Sequence, residues 1–490
     1  MSDWPPAMLK QSLRRTAASS SPFSPIPIIP RARLLSYRTQ SNTPSSRDIF
    51  FLRPHLSRRN PSSAPSRSYT LFSRFRDNFN EAKKDVWRQR PIGMTATLVF
   101  AVGMTGGLIY LIYDHITRVE PQFSRFPGVV SDRLRKALYY TEYDLNPVRA
   151  LHCYKQALIA AEQVGMHPFS EEVLGIRLQI PHMLEKAGMM KPAIEVLEKT
   201  QKDCVEWVES GRRKQMIRDR ERAATRNQTP DDDPTATEEQ RIEREKEIAE
   251  ERQRGLVMKR AAGIGVKLAE IYSNDYIRDS KNAEKALLTA VDLSRTELQR
   301  RREMNLPISQ DEGNYYLNLT EVATAFNELA DFYAQRGRND LSTALYMQSL
   351  ALIKEDEHDR PSTCAQVVLL NNISSQMAEQ AQKPAPPPAE TSSGAHMPPV
   401  SRDQLLYAAS EWAKKALDVA DKIQPPVRNE ECNQGCLTAT YNLGEIAEMQ
   451  GHFSEAKKYF VEAREVAKRI QSGEGVQRAS DALERIKSQV

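Results

Sequence analysis

The chain has 490 residues, with 69 Lys plus Arg against 64 Asp plus Glu, a formal charge of +5 and a mean hydropathy of −0.59. The length allows more than one domain, the hydropathy excludes a polytopic membrane protein, and only five cysteines exclude a disulfide-dense scaffold. Charge is unevenly placed: residues 1–90 carry 17 basic and five acidic side chains, net +12, leaving −7 for the rest, which argues against a nucleic-acid-binding domain and for a targeting segment.

Residues 1–90 read as a basic mitochondrial presequence and disordered leader. Up to Arg76 there are two acids among many Arg, Ser and Pro, and Met8–Ala18 suits a short basic amphipathic helix. Residues 91–113 read as a transmembrane helix. The stretch Ile92–Tyr113 holds no charge over 22 residues, about 33 Å of helix against a bilayer core of about 30 Å. Trp87, Tyr110 and Tyr113 suit interfacial positions, and Lys83, Lys84, Arg88 and Arg90 put the N-terminus on the matrix side. The body then lies in the intermembrane space of a single-pass inner-membrane protein. Gly103 and Gly107 allow close approach of another membrane helix, or are ordinary glycines of a membrane span.

The body predicts an all-α fold, a tetratricopeptide-like helical-hairpin solenoid of about five to six repeats. Gly444, Ala456 and Ala463 have the spacing of two small residues at a hairpin contact and a third that admits the next repeat. Small residues seven apart mark further second helices at Ala150…Ala157, Ala193…Thr200, Ala283…Ala290, Ala344…Ala351 and Ala409…Ala416. First helices are expected at Leu268-Ala269…Tyr272, Leu329-Ala330…Tyr333 and Ile373-Ser374…Met377. Two hairpin turns come out two residues longer than the consensus, because Ala269 to Ala283 and Ala330 to Ala344 are each 14 apart. The uneven repeat length predicts a long second helix running from Lys281 past Arg302. Residues 114–210 form the first hairpins, 255–380 the central ones, and 402–490 the last ones with a capping helix. Between them, 211–254 has 12 basic and 12 acidic residues and no aromatic, so it is solvated helix or disorder. The segment 381–401, with six prolines, is a loop inside a hairpin.

No phosphate loop, zinc motif or nucleophile elbow is present, and no cofactor or metal is expected. Cys432 and Cys436 share a helix face; they are either a redox pair or two small thiols. Binding chemistry has better candidates. Asn372 and Asn442 each precede the apolar position of a first helix, and Asn327 lies one position earlier in its own repeat. An Asn amide both donates to and accepts from an extended peptide backbone, so with Asp331, Tyr441 and Glu445 these residues form a candidate peptide-binding groove. Capped turns or plain solvation are the alternative.

The order of presequence, membrane span and repeats with a charged insert resembles the fungal mitochondrial tetratricopeptide adaptor subunit of the inner-membrane i-AAA protease complex. The segment from Val119 to Val196, with Arg149-Ala-Leu-His-Cys-Tyr-Lys-Gln-Ala157, and the C-terminal repeat carry the likeness. It implies a non-enzymatic adaptor for protein quality control, with AAA protease subunits and unfolded client polypeptides as partners and no nucleic acid. A tetratricopeptide assembly factor for a respiratory-chain complex is the second reading, and an outer-membrane import receptor a third.

Overall fold

The computed structural model describes residues 91–114, 117, 123–226, 238–309, 315–358, 360–383, 400–487 and 489. The expected presequence over 1–90 and most of the Pro-rich loop lie outside the described residues. The described residues from 126 onward belong to one compact unit, and those up to 125 to another.

Helix α1 (Pro91–Asp114) belongs to the second unit. Its apolar side chains from Val99 to Tyr113 are open, Val99 and Phe100 at 70% exposure. An added Cβ at Gly103 or Gly107 would meet nothing within 4 Å. Among the described residues no helix is long and apolar enough to cross a membrane.

The larger unit is helix after helix: α2 (Gly128–Glu142), α3 (Pro147–Gln163), α4 (Glu171–Lys186), α5 (Met190–Arg226), α6 (Glu238–Tyr272) and α7 (Ser280–Glu303). It continues with α8 (Leu319–Gln335), α9 (Asn339–Glu357), α10 (Cys364–Ala381), α11 (Arg402–Lys422), α12 (Glu430–Met449), α13 (Phe453–Arg469) and α14 (Gly473–Lys487). Successive pairs from α2/α3 to α12/α13 make six hairpins, and α14 closes the stack with Ala479, Ala482 and Ile486 buried.

Local sequence sets the breaks. Asn146, Ser170, Asp279, Asn318, Ser401 and Asn429 each accept a backbone N–H at a helix start, and Asn318/Glu321 and Ser401/Gln404 form reciprocal capping boxes. Gly337 and Gly451 adopt positive φ at the ends of α8 and α12, where a side chain would be strained. Five residues after each of these glycines comes a buried small residue of the second helix, Ser342 and Ala456.

The pattern of the second helices is regular. The pairs Ala150/Ala157, Ala283/Ala290, Ala409/Ala416 and Ala456/Ala463 are all 0% exposed, with Ala193 0% and Thr200 6%. Four residues after the first of each pair a core side chain is inserted: Tyr154, Leu197, Leu287, Tyr346, Ala413 and Phe460. Ala344…Ala351 is a register error, because both alanines are exposed. Ser342 and Ser349, at 0% and 1%, take the buried place, and Ser349 satisfies its hydroxyl on Ala323 O at 2.8 Å. A serine whose hydroxyl bonds across the interface packs as closely as alanine, so a search for alanine misses it. The supposed long turn between α8 and α9 is therefore of ordinary length, whereas the α6/α7 turn, 273–279, is long. The expected long second helix is α7. Gly444 has a packing reason: an added Cβ would sit 2.7 Å from the Phe460 ring.

The charged insert is the outward continuation of α5 and α6 as far as each is described. Arg222 pairs with Glu247 at 2.7 Å and Glu243 at 2.8 Å, and Arg218 with Glu250 at 3.3 Å. These exposed pairs contribute little individually. At the base, Arg254 is 3% exposed and reaches Gln215 at 3.0 Å, opposite Gly211.

Cys432 does not pair with Cys436. It forms a disulfide with Cys364, 68 residues earlier, joining the first residue of α10 to the first turn of α12. Cys436 stays a free thiol; burial raises its pKa, and Arg428 beside it offsets this only in part.

Candidate peptide-binding groove

Neighbouring first helices of the hairpins are joined through polar groups at α4/α6, α6/α8 and α10/α12. Lys267 on α6 reaches Glu185 on α4 at 3.2 Å. Asn371 on α10 donates to Gly435 O of α12 at 2.8 Å, and Asn442 on α12 donates to Ser375 Oγ of α10 at 3.0 Å. Arg485 of α14 holds Glu448 of α12 through two bonds, 2.7 and 2.9 Å. Such a row of first helices is the inner surface of a helical-hairpin solenoid.

The sequence-derived candidates divide into two groups along this row. Tyr441, Asn442 and Glu445 lie together on α12. Tyr441 packs on Phe460 with centroids 5.3 Å apart. Burial raises its phenol pKa, and the Glu445 carboxylate adds to that; Glu445 itself is also raised by burial. Asn442 is 4% exposed and its donor is spent on Ser375. This end of the row is therefore largely self-satisfied.

Asn327 and Asp331, one turn apart on α8, and Asn372 on α10 keep unspent capacity. Asn327 donates to Asp331 Oδ2 at 3.3 Å, while its own Oδ1 is buried without a partner. Tyr346 of α9 donates its hydroxyl to Asp331 Oδ1. Asn372 is 3% exposed, and its Oδ1 has no partner.

Reading the sequence by residue type missed Glu328. It stands immediately before Leu329, as Asn372 stands before Ile373 and Asn442 before Leu443, so position in the repeat was the available signal. Glu328 makes no hydrogen bond or ion pair among the described residues. Burial pushes its carboxyl up to about 7, with Asp331 and Glu270 adding repulsion. Burial likewise raises Asp331 to about 6, against the pull of the Tyr346 hydroxyl.

Both carboxyls hold a proton in the fold at a pH where the unfolded chain has released it. Their ionisation thus opposes folding, and stability falls as pH rises from about 4.5 through 7. Glu328→Gln removes the larger part of this. The variant is expected to be more stable than the wild type by ~1–3 kcal/mol at pH 8 and to converge with it near pH 5. Urea unfolding at the two pH values measures the difference.

Over 411 residues the chain is 25% identical to a TPR repeat-containing protein of Schizosaccharomyces pombe, a match covering 82% of this chain and 88% of that one. Six hairpins with this small-residue spacing make the class plain. The chain is a tetratricopeptide-repeat protein. No family model matches it. Among solved structures, BtubC from P. vanneervenii aligns with a TM-score of 0.32 and 12% identity, over 70% of this chain and 91% of that one. The P58(IPK) TPR domain aligns at 0.17 and 12%, over 79% and 96%. Both are too remote to bear on function. Repeat scaffolds of this kind are typically non-enzymatic and bind proteins. Among the described residues no cluster of His, Cys, Asp or Glu is placed to hold a metal ion.

Proposed function

We propose that this repeat protein is a membrane-anchored adaptor of the mitochondrial inner membrane. It binds unfolded polypeptides and passes them to the i-AAA protease. The observation that carries the binding half is the groove, where Asn327, Asn372 and Glu328 present polar groups with unspent hydrogen-bonding capacity. Such groups suit the backbone and side chains of an extended segment without demanding one sequence.

Anchoring is supported by the charge-free run Ile92–Tyr113 behind a basic flank, and by open apolar side chains along α1. Gly103 and Gly107 then offer a face to a partner's membrane helix. The Cys364–Cys432 disulfide suits an oxidising compartment such as the intermembrane space. Tethering beside the protease raises the effective concentration to roughly millimolar, so weak groove contacts suffice.

The test is crosslinking and co-purification of the full chain from detergent-solubilised inner membrane. AAA protease subunits are expected. Recovery of a respiratory-chain complex in their place would overturn the adaptor reading in favour of a dedicated assembly factor.

A further inference from the structure

Helix α2 opens the stack and carries an outer face that the repeat architecture does not use. Its buried side chains, Val130, Ser131, Leu134, Ala137 and Thr141, lie on one side. Positions 129, 132, 136, 139 and 143 form the opposite stripe, and all five are exposed. Val129 is 58% exposed, Tyr139 53% and Tyr143 71%. The two tyrosines stack with ring centroids 6.0 Å apart. The turn that follows and the first turn of α3 open two more apolar side chains, Leu145 and Val148.

A terminal repeat needs a polar outer face to stay in water. At the other end of the stack α14 meets that need and exposes no large apolar side chain. The outer face of α2 does not meet it, so it calls for a different surrounding.

Charge narrows the choice. The chain beyond residue 90 carries −7, yet 125–149 hold five basic side chains, Arg125, Arg133, Arg135, Lys136 and Arg149, against three acidic ones. One of those three, Glu142, is held by Lys186. By helical spacing Arg133 and Arg135 fall on either side of the exposed stripe, and Lys136 lies within it. Arg133 donates to Gln156, a neutral partner, and Arg149 stands over the Tyr140 ring. A partner helix would call for a continuous apolar seam, and Asp132 and Lys136 interrupt this one. Tyrosines set among long basic side chains suit a bilayer interface instead, with the rings at headgroup depth and the cations on lipid phosphates.

We propose that α2 lies flat on an anionic phospholipid surface, with Val129, Tyr139 and Tyr143 at headgroup depth and Arg133, Arg135 and Lys136 on the phosphates. This rests on the reading of the chain as membrane-anchored, and it fixes which hairpin of the solenoid meets the lipid. Thirteen residues, 115–127, separate α1 from α2 in the sequence. Anchoring through α1 keeps α2 at high local concentration over the bilayer, where a weak, salt-screened contact suffices.

Depth-dependent quenching tests this. The full chain is reconstituted into phosphatidylcholine vesicles with or without about 30% phosphatidylglycerol, as wild type and as the single variants Tyr143→Trp and Tyr407→Trp. Tyr407, 65% exposed on α11, is the control. Subtracting the wild-type emission removes the native tryptophans. With brominated lipid the signal from position 143 is expected to lose about half its intensity in anionic vesicles at low salt, and little in neutral vesicles or at ~0.5 M salt. The signal from position 407 stays unchanged. Adding Arg133→Glu and Lys136→Glu abolishes the quenching, while melting curves check that the variant is folded. A signal from 143 that is blue-shifted but not quenched marks a protein contact and overturns the lipid surface. Quenching that is equal in neutral vesicles, or present at 407 as well, overturns it too. In each of these cases the anchor stands as long as the chain resists extraction by alkaline carbonate. A chain that carbonate removes loses the anchor, and this proposal with it.

Discussion

Glu297→Ala is expected to lower the stability of the solenoid by about 3–5 kcal/mol, the range for breaking a buried ion pair from one side. Glu297 is 1% exposed on α7. It accepts from Arg212 of α5 at 2.7 Å and from Arg300 at 3.0 Å, with Arg301 at 3.6 Å. Burial alone would raise its pKa, but the Arg300 and Arg212 guanidinium groups outweigh that and hold it below its usual value. Truncation strands positive charge: Arg300 retains Glu251, whereas Arg301, over the Tyr316 ring, is left with a bond to the neutral Pro307 O at 2.8 Å. Because Arg212 belongs to α5, the loss also loosens the hold of α7 on the base of the charged extension. The contribution is present above the unfolded pKa of about 4.5 and fades as pH falls through the lower folded value. Wild type and variant should therefore converge in acid. Urea unfolding at pH 7 and pH 3 measures both effects, with Glu297→Gln expected to lose about half as much. A loss under about 1 kcal/mol at pH 7 would show that the cluster does not fasten these helices.

The second large effect is expected at the disulfide. Closing a loop of 68 residues restricts the unfolded chain by about 4 kcal/mol in the chain-entropy account, and measured values run lower. Cys364→Ser together with Cys432→Ser should therefore cost about 2–4 kcal/mol. Much of this is felt in α10 to α12, because that is where the bridge acts. Cys432 is 0% exposed, so the serine hydroxyl adds a burial cost unless it finds a partner. The check is urea unfolding of wild type and double variant with and without dithiothreitol. Reductant should weaken the wild type to near the variant's level and leave the variant unchanged. A wild type indifferent to reductant would mean that the bridge is not formed, and would take with it the support for an oxidising compartment.

The repeat architecture was legible where it rests on spacing. Helix pairs recur because small residues must recur where helices touch, and Gly444, Ala409 and Ala456 show that necessity directly. The reading failed at α9 because closeness depends on volume and satisfied hydroxyls. Ser342 and Ser349 meet those conditions, and only the turn glycine Gly337, counted forward five residues, betrays them. The groove was found in part. Asn442 and Asn372 were visible by type, but which of them is spent depends on contacts between helices some seventy residues apart. Glu328 looked like one acid among many, although its repeat position equals that of the two asparagines. Glu297 was hidden for a similar reason: in a helix full of charge, nothing in the order of residues tells the buried acid from the solvated ones. The partner of Cys432 was equally out of reach, since a pairing across two helices is a property of the stack.

That cross-link has one more consequence. Cys364 and Cys432 stand on either side of the whole α10/α11 hairpin, including the Pro-rich segment between its helices. A single cut of the backbone anywhere from 365 to 431 divides the chain but does not divide the molecule. Both pieces stay covalently joined, and α12 to α14 remain attached to the body. For a protein proposed to work within reach of a protease, the bridge acts as a suture that holds the molecule together after a nick between α10 and α11.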